Sequence, residues 1–127
     1  MYTLTEPELG IMQTLWETKE AVPRSYIQKR LSHLNWKGTT FNTYLSRLEA
    51  KNFVSKEMQG QTHYYRPLVM QQEYQQKESV SVLNKLFHGS LKNFVLSVSL
   101  TDAVSKEDLQ ELQTLLDDMK GGRQDGQ

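Results

Sequence analysis

The sequence predicts a mostly α-helical chain with a small β wing, and three observations carry that reading. Phe41, Tyr44, Leu45 and Leu48 recur at steps of three and four, the spacing of one buried helix face. Directly after them, Phe53-Val-Ser-Lys-Glu and Thr62-His-Tyr-Tyr-Arg read as two strands joined across Met58-Gln-Gly-Gln. A shorter helical segment ends only a few residues before the first pattern, as a helix-turn-helix requires. Residues 1–68 are therefore expected to form a winged helix-turn-helix. A helical dimerisation region over 69–120 and a disordered tail over 121–127 are expected to follow.

The first helix starts at Thr5, because Thr5-Glu-Pro-Glu8 has the spacing of a capping box and a first turn tolerates Pro7. Leu9, Met12, Leu15 and Trp16 then make its apolar stripe. Ala21-Val-Pro breaks the pattern and is read as a short strand that pairs with the hairpin. The second helix is expected over Ser25–Leu34, with Tyr26, Ile27 and Leu31 inward. The third carries the stripe at Phe41–Leu48, and Asn52 suits its end because asparagine tolerates a left-handed cap. Gly60 supplies the permissive turn position of the hairpin.

Beyond Pro67, Met70, Tyr74, Val80, Leu83, Leu86 and Phe87 fit a long helix ending at Gly89. Ser90 can cap a short helix through Leu91, Phe94, Val95 and Val98. Ser105-Lys-Glu-Asp108 resembles a second capping box and leads into Leu109, Leu112, Leu115, Leu116 and Met119. Some fifty residues in three amphipathic helices can hardly close a core alone (~40 residues is the usual lower limit, and marginal). Leu83, Leu86, Phe87, Leu109, Leu112, Leu115 and Leu116 are therefore expected to pack against a second copy of the chain. The alternative is that these helices fold back onto the winged helix.

Charge points to the partner. The formal net charge over 127 residues is zero, but it is unevenly spread. Residues 1–66 hold nine Lys/Arg against six Asp/Glu, and residues 67–127 hold six against nine. Between Ala21 and Leu48 stand Arg24, Lys29, Arg30, Lys37 and Arg47, with no acid. A phosphate backbone selects such a segment. Opposite the third helix's apolar stripe lie Thr39, Asn42, Thr43, Ser46 and Arg47, short or planar groups that can reach base edges. Arg24, Lys37, Lys51 and Tyr65 complete the candidate contacts to double-stranded DNA. Tyr65 enters because one of the adjacent pair Tyr64-Tyr65 faces the core and the other can touch a phosphate.

Other chemistry is thin. There is no cysteine, so neither disulfides nor thiolate metal sites can form. His33, His63 and His88 stand at no metal or catalytic spacing, and neither a metal nor any other cofactor is expected. No phosphate loop and no G-x-S-x-G elbow is present, and no nucleophile–base constellation supports an enzyme. Trp16 and Trp36 read as core aromatics. No apolar run approaches the ~20 residues of a membrane helix, and MYTLTEPELGIM has no signal-peptide pattern. A cytoplasmic protein without a membrane partner is expected.

Four stretches together carry a family resemblance: LTEPELGIMQTLWE, TTFNTYLSRLEAKNFV, YYRPLVMQQEY and LNKLFHGSLKNFVLS. From Leu4 to about Lys120 the chain resembles the penicillinase and methicillin-resistance repressors and the related copper-transport repressors of Gram-positive bacteria. The resemblance implies a homodimeric repressor with an N-terminal winged helix, a C-terminal dimerisation region and an operator with inverted TACA and TGTA arms. Thr40, Thr43 and Arg47 match the T-x-x-T-x-x-x-R pattern of that family's recognition helix. Two departures bear on how repression is lifted. The copper branch uses a C-terminal cysteine cluster, and this chain ends in GGRQDGQ. The β-lactam branch is cut at Asn-Phe within V-L-N-F, and the aligned residues here are Val95-Leu-Ser97-Val98. An upstream sensor or protease is the partner that branch implies; these residues do not identify one.

The leading reading is a dimeric transcriptional repressor. The competing one is a winged-helix protein-interaction module that does not bind DNA. The acid-free segment argues against it, since a protein-binding face has no need to clear its carboxylates.

Overall fold

The computed structural model describes residues 3–126, with side chains through 122. Two compact units divide the chain, Met1–Ser79 and Val80–Gln127.

In the first unit, α1 spans Glu6–Trp16 behind Thr5 as N-cap. The capping box is reciprocal: Thr5 N–H donates to Glu8 Oε1 at 2.9 Å, and Glu8 N–H donates to Thr5 Oγ1 at 3.4 Å. Ile11, Met12 and Leu15 are fully buried, while Leu9 and Trp16 flank the core half-exposed. Strand β1 is only Val22–Pro23, an edge strand, where proline is tolerated. It pairs antiparallel with β3, Thr62–Pro67, which pairs antiparallel with β2, Val54–Gln59, in the order β1-β3-β2. The hairpin turn is tighter than expected. Met58 and Gln59 belong to β2, opposite His63 and Thr62, leaving only Gly60-Gln61 as the loop. Gly60 sits at φ 67, the glycine-first pattern of a two-residue II′ turn.

The second helix is shorter than its apolar pattern suggested. Helix α2 covers Arg24–Arg30, and a single 3-10 turn, Ser32–Leu34, replaces the rest. Two turns of helix bring only Ile27 fully into the core and leave Leu31 half-buried. Tyr26, expected inward, lies about 100° round the helix from Ile27 and is 39% exposed.

Helix α3, Gly38–Ala50, buries Phe41, Leu45 and Leu48. Tyr44 is half-buried, its ring edge-on to Trp36 at 5.0 Å. The helix ends in a Schellman arrangement. Asn52, at φ 63, donates to Glu49 O at 3.0 Å, and Phe53 N–H donates to Leu48 O at 2.9 Å. The cap delivers Phe53 straight into the core, so helix and wing leave one rigid corner.

Helix α4, Gln71–Phe87, begins within the first unit. Tyr74 is buried against Trp16 and Phe53, both ring pairs at 6.0 Å, and its hydroxyl accepts the Leu4 N–H at 2.9 Å. Trp16 Nε1 donates to Val69 O at 2.8 Å. These contacts move the division from the expected 68/69 to 79/80.

The second unit holds the end of α4, then α5, Leu91–Ser99, and α6, Lys106–Gly126. His88 and Gly89, at φ 51 and 81, stop α4, and Ser90 caps α5 by accepting the Asn93 N–H at 3.1 Å. Ser105 and Asp108 exchange bonds of 2.9 and 3.0 Å, so the shorter acid completes the capping box. The stretch 121–127, expected to be disordered, instead continues α6 through Gly126; Gln127 lies outside the described residues. Extending a formed helix needs no new nucleus, which lets it run on through Gly121 and Gly122.

Candidate nucleic-acid interface

The polar row of α3 stands clear of the core. Thr39, Asn42, Thr43, Ser46 and Arg47 are exposed, as is Lys37 at the N-cap, and Thr40 is half-buried beside them. Thr43 Oγ1 donates to Thr39 O at 3.0 Å, so what it offers outward is an acceptor lone pair. The Arg47 guanidinium lies 6.0 Å over the Tyr44 ring, and no carboxylate among the described residues pairs with it. Other cations nearby are neutralised. Arg30 pairs with Glu17, Lys56 with Glu49 at 3.5 Å, and Arg66 with Glu57 at 3.1 Å. Positive charge without a carboxylate partner among the described residues is thus left on α3 and its N-terminus, at Lys37 and Arg47, and on α2, at Arg24 and Lys29.

Arg24 reaches this row from α2. Its Nε donates to Asn42 Oδ1 at 2.7 Å, Nη1 to Gln28 Oε1 at 3.1 Å, and Nη2 to Gly38 O at 3.4 Å. The same guanidinium lies 5.1 Å over the Phe41 ring. Sequence reading counted Arg24 as one more cation and missed this clamp, which no local pattern encodes.

Two expected contacts are corrected. Tyr65 is 6% exposed, because it stands two residues before Pro67, the register partner of buried Val54, and so lies on the sheet face turned to the core. It is a core residue; of the tyrosine pair, Tyr64 is the one that stays half-exposed. Lys51 turns inward, its Nζ donating to Glu8 Oε1 at 2.7 Å and Oε2 at 3.0 Å. In this arrangement it compensates a fully buried carboxylate.

Burial pushes the Glu8 carboxyl up, but the Lys51 ammonium and the Thr5 N–H and hydroxyl outweigh it and hold it below 4.5. A carboxyl depressed in the folded state contributes stability above its unfolded pKa and loses it as pH falls through the folded value. Unfolding free energy is therefore expected to hold above pH ~4.5 and to fall on further acidification. Urea titrations between pH 7 and pH 3 measure this. A Glu8→Gln variant should show a shallower acid limb, and an identical one would remove Glu8 from the linkage.

The expected dimer residues lie on α4 and α6. Leu86, Leu109 and Leu115 are exposed, and Leu83, Phe87, Leu112 and Leu116 half-buried. No residue from 80 to 122 is buried. Leu91 and Leu96 on α5 and Leu100 at its C-cap, not counted among the expected dimer residues, are 57%, 53% and 80% exposed. No group of His, Cys, Asp or Glu among the described residues could hold a metal ion. No described helix is long and apolar enough to cross a membrane.

A winged helix with an exposed polar recognition row is common to many regulators, and comparison of the whole chain decides among them. A family model described as penicillinase repressor matches residues 4–118. The chain belongs to the penicillinase repressor family. It is a transcriptional repressor and not an enzyme. The repressor is similar to the penicillinase repressor of Bacillus licheniformis, 25% identical over 122 residues that cover 96% of this chain and 95% of the relative. It is also similar to the methicillin resistance regulatory protein MecI of Staphylococcus epidermidis, at 24% over 115 residues, 91% of this chain and 94% of the relative. Among solved structures, MepR, a transcription regulator of the Staphylococcus aureus multidrug efflux pump MepA, superposes with a TM-score of 0.49 at 16% identity. That superposition covers 94% of this chain and 79% of MepR.

Proposed function

We propose that the repressor acts in the cytoplasm as a homodimer on a two-fold-symmetric operator, with α3 of each copy in the major groove. The supporting observation is the α3 row. Six exposed side chains from Lys37 to Arg47 present donors, acceptors and uncompensated positive charge, with no carboxylate between them. An α-helix fits the major groove, and short polar or bidentate side chains on its outer face are what read base edges there. The resemblance to the penicillinase and methicillin-resistance repressors supports inverted TACA and TGTA arms as the operator. A gel-shift assay with that palindrome against a scrambled duplex tests the proposal. Equal affinity for both would leave only non-specific binding.

Arg47→Ala is expected to weaken operator binding. If the guanidinium reads a base, the loss is ~1–3 kcal/mol and preference relaxes at one position. If it holds a phosphate, all duplexes lose affinity and the salt slope falls by about one. Unchanged binding at two salt concentrations would take Arg47 out of the interface.

A further inference from the structure

Arg24 dictates which end of the Asn42 amide faces the operator. Resting on the operator reading above, we propose that Asn42 is a donor-only reader that selects a G·C pair over A·T, with Arg24 as its positioning residue. A guanidinium donates and never accepts, so the Asn42 atom 2.7 Å from Arg24 Nε can only be the carbonyl oxygen. The amide cannot be turned over without losing a charge-assisted bond, roughly twice as strong as a neutral one. Arg24 itself is held at three nitrogens and against the buried Phe41 ring, so the clamp does not drift.

With one lone pair of its oxygen engaged by Arg24, what Asn42 has wholly unengaged among the described residues is its two Nδ2 hydrogens. Bidentate reading of adenine needs the opposite arrangement, an amide oxygen accepting from N6 while the nitrogen donates to N7. Guanine offers two adjacent acceptors, N7 and O6, to a donor-only group. An A·T pair offers such a group adenine N7 alone, with the opposed N6 donor beside it, and a thymine O4 that stands beside a methyl. Three of the five guanidinium donors of Arg24 are thereby taken by protein acceptors.

The test is selection by the full-length chain from a randomised duplex library, followed by affinities for every single-base variant of the selected site. The step that Asn42 reads is the one whose preference disappears in Asn42→Ala. At that step the unaltered protein is expected to select G·C and to bind it about tenfold tighter than A·T, within the usual range for one base contact. Arg24→Met keeps the aliphatic stem over Phe41 and removes the donors. It should bring that ratio close to one, leave preferences elsewhere intact and leave the salt slope unchanged. Equal circular-dichroism melting of all three proteins checks that each is folded. An A·T pair at the Asn42-dependent step overturns the inference, as does an Asn42→Ala variant that loses no preference anywhere. So does an Arg24→Met variant that weakens every duplex alike with a smaller salt slope, the mark of a phosphate contact. If the unaltered protein shows no sequence preference at all, the operator reading itself falls.

Discussion

Lys51→Met is expected to cost the N-terminal unit about 3 kcal/mol, at the low end for removing one partner of a buried ion pair. Glu8 is fully buried and Lys51 keeps 23% of its side-chain surface, so solvent reaches the pair from one side only. Without the ammonium, the Glu8 carboxylate keeps the Thr5 N–H as a partner but must ionise against burial or take up a proton. The melting temperature should fall by roughly 10–20 °C for a unit of this size. Glu8→Gln introduced on top of Lys51→Met should recover part of the loss, because an amide can still accept the Thr5 N–H without carrying charge. At a temperature where both proteins are folded, operator affinity and its salt dependence should match those of the unaltered chain. A loss under about 0.5 kcal/mol would show the pair to be solvent-screened; a salt slope smaller by about one would return Lys51 to the DNA interface.

That pair also shows where sequence reading stopped. Thr5 and Glu8 lie within one turn, and their capping box was legible because its chemistry is local. So were the α3 stripe, the Asn52 cap and the pairing of Val22-Pro23 with the hairpin. Lys51 meets Glu8 across 43 positions, and Arg24 meets Asn42 across 18, distances over which no spacing rule operates. Sequence reading therefore placed both cations at the surface for DNA. The tyrosine pair failed for another reason. Strand alternation says that Tyr64 and Tyr65 face opposite ways but not which faces in, and the parity follows from the β2–β3 register, which puts Tyr65 on the face of buried Val54. The helical register of α2 was misjudged because one apolar residue too many was assigned to a helix of two turns. The polar outer row of α3 was readable throughout, since an amphipathic helix of 13 residues defines its outer face once its inner face is known.

Leu112→Asp is expected to turn a dimer into a monomer without unfolding the N-terminal unit. From 80 to 122 no residue is buried, yet Leu86, Leu91, Leu96, Leu100 and Leu115 are each more than half exposed. An apolar surface of that extent on a unit of 48 residues is characteristic of one half of an interface, since a chain this short barely closes a core of its own. Leu112 lies half-buried on α6, between Leu109 and Leu116 at helical spacing, so a carboxylate there would be desolvated without a partner when two copies meet. Sedimentation should show a single-chain species, while the melting of the N-terminal unit, followed by Trp16 and Trp36 fluorescence, stays within about 2 °C, the shift expected from a surface change of ~0.5 kcal/mol or less. Operator affinity should fall by about 10²-fold or more, because two recognition helices on separate chains no longer share an effective concentration. An intact dimer would move the seam off this face of α6. A monomer that still bound the palindrome at full affinity would break the link between dimerisation and operator recognition.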